Sequence, residues 1–281
     1  STSSEAKEYF QNLKMQTFCW NSTSKDSIDL AFNKERADDR KAWLANYDSQ
    51  NILDSSEEMV YFNDFINKEF IHFSNYDLER SIPNCMDGLK TSQRKILFSC
   101  FKRNLKSEIR VAQLAGYVSE NAAYHHGEAS LQGTIVGMSQ DYVSSNNINI
   151  LCPIGQFGTR LQGGKDSASS RYIHTCLEKI IQDIYPEADL PVLKYLDDDG
   201  LPVEPEYYVP IIPTILINGS KGIGTGYSSD VPMYNPLDLV KSIKSLINNT
   251  ELKEIHPWYY GFDGEIIKVN DNQYISKGKY N

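Results

Sequence analysis

Residues 90–142, KTSQRKILFSCFKRNLKSEIRVAQLAGYVSENAAYHHGEASLQGTIVGMSQDY, decide the fold. Within 90–103, Ile96, Leu97, Cys100 and Phe101 recur at helical spacing, and the opposite face is basic. A second helix is expected near 109–119, a break at 120–126, and a third helix near 127–142. Two short helices, a tight turn and a further helix form the helix-turn-helix arrangement, whose last helix can enter a groove of DNA. Downstream, 148–151 looks like a short strand and 155–164 is glycine-rich and irregular. A strand, loop and strand placed after a helix-turn-helix would be a wing. Residues 167–185 again look helical.

Farther out the texture changes. Residues 1–50 look polar and helical, with a second helix pattern across 27–46. Residues 48–59 are polar and loop-like, and 62–72 return to helical apolar spacing. Ile82-Pro83-Asn84 and Asp87-Gly88 are turn signals. Beyond Pro186 come many prolines and tyrosines, a β-branched run at 209–217 and a glycine cluster at 219–226. That region reads as a second, β-rich domain which does not finish within the 281 residues.

The net charge of −9 argues by itself against a nucleic-acid partner. The average conceals a local excess. From Arg80 to Arg110 there are eight lysines and arginines against only Asp87 and Glu108, a net +6. Such a patch is either an electrostatic footprint for phosphates or a solvated helix face. No apolar run approaches the roughly 18 residues of a membrane helix. The N-terminus STSSEAKEYF lacks a signal-peptide pattern and reads like the interior of a longer protein. Five cysteines, odd in number and without a C-x-x-C pair, favour reduced thiols over a disulfide or metal site.

Three motifs carry candidate chemistry. In Arg171-Tyr172, the tyrosine is a poor nucleophile at its free pKa of about 10. An adjacent arginine can stabilise either the phenolate or a phosphate under attack. Taken alone, the pair reads as a packing residue with one wet end. Tyr124-His-His-Gly-Glu128 falls at the expected helix-turn-helix turn, where histidines at a helix N-terminus can bind phosphate. An ordinary capped turn is the alternative, and the cysteines are badly spaced for zinc. Gly219–Gly226 lacks the G-x-x-x-x-G-K-[ST] form of a nucleotide loop. It suits close backbone approach to DNA, with Ile223 as an apolar wedge, or a plain hairpin loop.

Together these segments resemble eukaryotic DNA topoisomerase II, a type IIA enzyme. The resemblance rests on Ile28-Asp-Leu-Ala-Phe-Asn-Lys-Glu-Arg-Ala-Asp-Asp-Arg-Lys41, Arg80-Ser-Ile-Pro-Asn84, Asp87-Gly-Leu-Lys90, Gln93-Arg-Lys95 and Asn104-Leu-Lys-Ser-Glu108. It continues through Val111-Ala-Gln-Leu-Ala115, Tyr124-His-His-Gly-Glu128, Phe157-Gly-Thr-Arg160, Gly163-Gly-Lys-Asp166, Arg171-Tyr-Ile173 and Gly222-Ile-Gly-Thr-Gly226. The order and approximate spacing are the family's. Gly116, Ser170 and Tyr227 depart from its commoner residues without touching the proposed chemistry.

The resemblance implies an α+β fold in three parts. Residues 1–70 would be a helical connector following an absent TOPRIM domain. Residues 71–187 would be the winged-helix cleavage domain, and 188–281 the first part of a tower domain. It implies that Tyr172 forms a 5′-phosphotyrosine link to double-stranded DNA, assisted by Arg171. Arg80, Lys90, Arg94, His125, His126 and Lys165 would contact DNA, and Ile223 would insert between base pairs. Mg2+ and ATP would serve the full-length enzyme but bind outside this chain, which would be inactive alone. A homodimer, no membrane association, and a nuclear location (or a viral factory or cytoplasm, for a large DNA virus) are the further expectations. The competing readings are a bacterial-type relative of gyrase or topoisomerase IV and a non-catalytic winged-helix DNA-binding module.

Overall fold

A computed structural model describes residues 2–54, 56–271 and 273–280. They fall into two compact units. One holds the chain up to Glu79 together with Ile223–Ser228; the other holds the rest from Arg80 onward.

The first unit opens with helix α1 (Ser3–Gln11), whose start is closed by a capping box between Thr2 and Glu5. Strand β1 (Thr17–Cys19) pairs in parallel with β2 (Met59–Tyr61). Between them lie α2 (Ser24–Phe32) and α3 (Ala37–Ala45). The single helical pattern expected across 27–46 is thus broken. Asn33 is extended there, and its side chain accepts a bond from the Glu35 N–H at 3.0 Å, starting a new turn. A helix then runs as α4 (Phe62–Phe65), a π-helical turn (Ile66–Phe70) and α5 (Ile71–Ser81). The π turn has a packing consequence. Phe65 and Phe70, five residues apart, would diverge on an ideal α-helix, but here their rings stack 6.5 Å apart. Phe70 also meets Phe32, Trp43 and Phe73, so one ring organises an aromatic cluster.

The second unit begins with a winged helix. Helices α6 (Thr91–Arg103), α7 (Val111–Asn121) and α8 (Glu128–Ser139) bury Ile96, Leu97, Val111, Leu114, Val118, Leu131 and Ile135 against one another. Asn104 ends α6 in the left-handed conformation, φ +49°. Strand β3 (Ile109–Arg110) leads into α7 and pairs antiparallel with β4 (His174–Thr175). On its other side β4 is joined by the segment around Leu151–Ile154, through the bridges Leu151↔Leu177 and Ile154↔His174. Residues 155–173 between these strands are the wing.

The helix expected across 167–185 is confined to α9 (Lys179–Ile184). Ile173, Leu177, Ile181 and Ile184 recur nearly every fourth residue, which imitates a helix. Ile173 and Leu177 are instead inward positions flanking β4, and both are buried.

The core does not close at residue 187. Leu190, Leu193 and Ile212 pack against it. Buried Tyr208 sets its ring edge-on to Phe101 and Tyr185 at 5.7 and 5.6 Å. Beyond it lie the antiparallel hairpins β5 (Tyr195–Asp198) with β6 (Leu201–Pro205), and β9 (Gly264–Asn270) with β10 (Gln273–Gly278). Between them come α10 (Thr214–Asn218), the paired strands β7 (Ser220–Ile223) and β8 (Ser228–Val231), and α11 (Pro236–Ile247). The β-branched run at 209–217 is therefore not a strand. Pro210 and Pro213 remove two ladder donors, and the run ends as α10.

Candidate functional site

Tyr172 stands on a turn at the base of the wing, immediately ahead of β4, and is 78% exposed. The turn is held by backbone. Tyr172 N–H donates to Ser169 O at 2.9 Å, Ala112 N–H to Ser170 O at 3.1 Å, and Val111 N–H to Ile173 O at 3.1 Å. The first turn of α7 thus fixes the residues on both sides of Tyr172. Ser170 Oγ adds a bond of 2.8 Å to Gln132 Oε1 on α8, and Gln132 Nε2 in turn holds Glu128 Oε1 at 2.6 Å. Ile173, the next residue, is buried. The result is an exposed phenol on an immobilised backbone, with the exposed Arg171 beside it. Gln132 is a positioning residue that nothing in the sequence singled out. Its partner Ser170 lies 38 residues away, so no local pattern could reveal it.

The rest of the wing is a tight loop. A Cβ on Gly158 would fall 2.6 Å from Gly164 Cα, so two backbone strands touch there and only glycine fits. Asp166 clamps the loop, accepting Thr159 N–H and Thr159 Oγ1, each at 2.8 Å. The Thr159 amide bond holds the Asp166 carboxyl below the ordinary carboxylate range. This clamp leaves Lys165 exposed at the loop's edge.

His125 and His126 are exposed and immediately precede α8. Gly127 starts that helix at φ +86° without a side-chain cap. The first amides of α8 therefore keep their donors for an anion. His125 Nε2 meets Asp198 Oδ2 at 3.0 Å. The His126 pKa is lowered, first by partial burial and then by the positive charges of Arg80, His125 and Lys95. That field is itself informative: several cations converge on one histidine, as at a site built for a negative group. Arg80 is exposed, and half-buried Lys90 begins α6.

Arg94 does not belong with these residues. It is 6% exposed, and its guanidinium is bidentate to Asp87, Nε to Oδ2 at 2.7 Å and Nη2 to Oδ1 at 3.0 Å. Nη2 also donates to Leu89 O at 2.8 Å. Asp87, fully buried, further accepts the N–H groups of Leu89 and Tyr208, each at 2.9 Å. A guanidinium so committed has no donor face for a phosphate, and the expectation that it contacts DNA is corrected. Lys95 is likewise turned inward, to Glu204 at 2.9 Å and Ala122 O at 2.6 Å. The net +6 of the window therefore overstates the charge it offers to solvent.

Ile223 belongs to the compact unit that also holds the N-terminal helices. It ends β7 and is 75% exposed. The turn beyond it is closed by Gly224 N–H to Tyr227 O at 2.9 Å. Among the described residues, no three histidine, cysteine, aspartate or glutamate side chains are placed to hold a metal ion. No described helix is long and apolar enough to cross a membrane.

Known proteins share this architecture. The family model for the DNA gyrase/topoisomerase IV cleavage subunit (the gyrase A type) matches residues 80–281, and that for the C-terminal associated domain of TOPRIM matches residues 1–78. A probable DNA topoisomerase 2 of Dictyostelium discoideum is 54% identical over 99% of this chain and 19% of its own length. DNA topoisomerase 2 of Saccharomyces cerevisiae is 51% identical over 99% of this chain and 20% of its own length. A crystal structure of the Plasmodium falciparum topoisomerase II DNA-binding, cleavage and re-ligation domain superposes with a TM-score of 0.84 at 51% identity. The match covers 98% of this chain and 38% of that one. The chain spans about a fifth of the length of the two full-length relatives. A matched family model over most of the sequence and eukaryotic relatives half identical along nearly all of it make this chain a member of the type IIA DNA topoisomerases, and a segment of the eukaryotic type.

Proposed function

We propose that this segment binds duplex DNA and makes the transient break through which an ATP-dependent type II topoisomerase passes a second duplex. The observation that carries the reading is the exposed Tyr172 on a turn braced by α7 and α8. In the reaction, the Tyr172 oxygen attacks a backbone phosphorus and gives up its proton. The bond from phosphorus to the 3′-oxygen breaks, and that oxygen leaves with a proton. The product is a 5′-phosphotyrosine, whose phosphodiester energy is kept, so resealing is the same displacement reversed. Arg171 neutralises charge on the attacked phosphate. His126, His125, Lys165, Arg80 and Lys90 hold neighbouring phosphates, and the free amides of α8 add fixed positive charge. Ile223 inserts between base pairs and bends the duplex.

The described residues do not form a metal cage, so no step is routed through a metal here. Mg2+ and ATP belong to parts of the full-length enzyme outside this chain. The enzyme works as a homodimer, in the nucleus or in the factory of a large DNA virus. Residues 1–70 act as the connector after the TOPRIM domain, 71–187 as the cleavage domain and 188–281 as the start of the tower.

The test is Tyr172→Phe in the full-length enzyme. One oxygen is lost while every cation stays, so covalent DNA adducts trapped by detergent should vanish and DNA affinity should change less than about twofold. Adduct persisting in the variant would remove Tyr172 from the mechanism.

A further inference from the structure

Two of the five cysteines meet across the strands at the base of the wing. The bridges Leu151↔Leu177 and Ile154↔His174 set an antiparallel register in which Cys152 lies opposite Cys176. Cys152 N–H donates to Cys176 O at 2.8 Å, so the pair occupies a hydrogen-bonded position of the ladder. Facing residues there have Cα atoms about 5.5 Å apart and side chains on the same face. That separation is the commonest one for a disulfide, whose Cα atoms lie about 4.4–6.8 Å apart. Both residues are half-buried and both thiols are free. The strands are pinned on either side. Ile154 and His174 exchange two backbone bonds at 3.1 and 2.9 Å, and Thr175 Oγ1 donates to Cys152 O at 2.8 Å.

We propose that Cys152 and Cys176 are a modification site: a dithiol that a hydroperoxide oxidises to an intrachain disulfide. One sulfur attacks the peroxide, the O–O bond breaks, and an alcohol or water departs, leaving a sulfenic acid. The second sulfur displaces the sulfenic oxygen, which leaves as water, while its own proton is lost. Two thiols and one peroxide thus give one disulfide, one alcohol or water from the peroxide, and one further water.

The surroundings assign the order. Burial, and then hydrogen bonds to Glu178 and Cys176, hold the Cys152 thiol well above the ordinary thiol range. Cys152 is therefore the slow, resolving thiol, and the Glu178 carboxylate is placed to take its proton. A thiol whose charged form is disfavoured makes a disulfide that is slow to form and hard to reduce, the converse of a stabilised thiolate. Cys100, the nearby alternative partner, is fully buried within α6, and burial pushes its thiol up to about 12.

The bond would weld the base of the wing four residues beyond Tyr172. The experiment exposes the full chain to hydrogen peroxide, blocks remaining thiols with N-ethylmaleimide in denaturant, and maps peptides by mass spectrometry without reductant. The expected product is a cross-link joining the Cys152 and Cys176 peptides, released by dithiothreitol. It should come with a rise in Tm of about 5 °C that Cys152→Ser and Cys176→Ser both lose. Recovery of both cysteines as alkylated thiols, or cross-linking of either to Cys19, Cys85 or Cys100, would overturn the proposal. The parent protein alone decides the mapping, so the outcome does not depend on the variants folding.

Discussion

Replacing Arg94 with alanine should unfold the winged helix at a lower temperature and leave the salt dependence of DNA binding alone. Arg94 supplies two of the four hydrogen bonds to the Asp87 carboxylate and one to Leu89 O. Without it, a fully buried carboxylate keeps only the amides of Leu89 and Tyr208. Breaking a buried ion pair from one side costs about 3–5 kcal/mol. At about 2–4 °C per kcal/mol for a unit of this size, Tm should fall by roughly 6–20 °C. The double variant Asp87→Asn with Arg94→Met removes both charges and should recover much of that loss. The assay pairs a circular-dichroism melt with DNA titrations at several salt concentrations. The reasoning fails if Arg94→Ala melts within about 1 °C of the parent while the slope of log K against log salt falls by about 1.

Three other outcomes follow from the site. Arg80→Ala and Lys90→Ala should each flatten that salt slope by about 1, equally on all DNA sequences; unchanged slopes would return both to the solvated surface. Ile223→Ala should weaken bending more than binding, read from the end-to-end distance of a labelled duplex; an equally sharp bend in the variant would reduce Ile223 to a loop residue. For His126, the free-state pKa is lowered, and a bound phosphate would favour the imidazolium and raise it. Affinity should therefore rise as pH falls through the region around and below 6.5, and His126→Asn should lose that rise. A pH profile unchanged in the variant would separate His126 from the phosphate.

How much of this was legible in the sequence depended on how local the cause was. The helices α6, α7 and α8 were readable because their buried residues recur at helical spacing, and Asn104 and Gly127 punctuate them. Tyr172 was legible only through its resemblance to a family, since its exposure arises from α7 amides about 60 residues upstream in the chain. The helical reading of 167–185 failed because inward positions beside a short strand mimicked a helical face. Arg94 was misread for a related reason. On the basic side of α6 it has the same sequence texture as Lys102, and only the distant Asp87–Tyr208 contact distinguishes a buried ligand from a surface cation. The α10 helix hid inside a β-branched run because two prolines, not side-chain preference, decided the backbone there.

The Asp87 carboxylate also bears on how the chain is made. One of its four donors, the Tyr208 amide, lies 121 residues farther along, and Thr214 Oγ1, which holds the Asp87 carbonyl, lies 127 residues away. At a synthesis rate of about 5–20 residues per second, the amide of Tyr208 emerges roughly 6–24 s after Asp87. During that interval α6 can form, but its buried charge is incompletely solvated and the aromatic patch awaiting Tyr208 stands open. A ribosome stalled before residue 208 would therefore display an incomplete core to chaperones and proteases. Codons and pauses between 188 and 214 would set how long that nascent chain stays vulnerable, although none of those residues touches the catalytic turn.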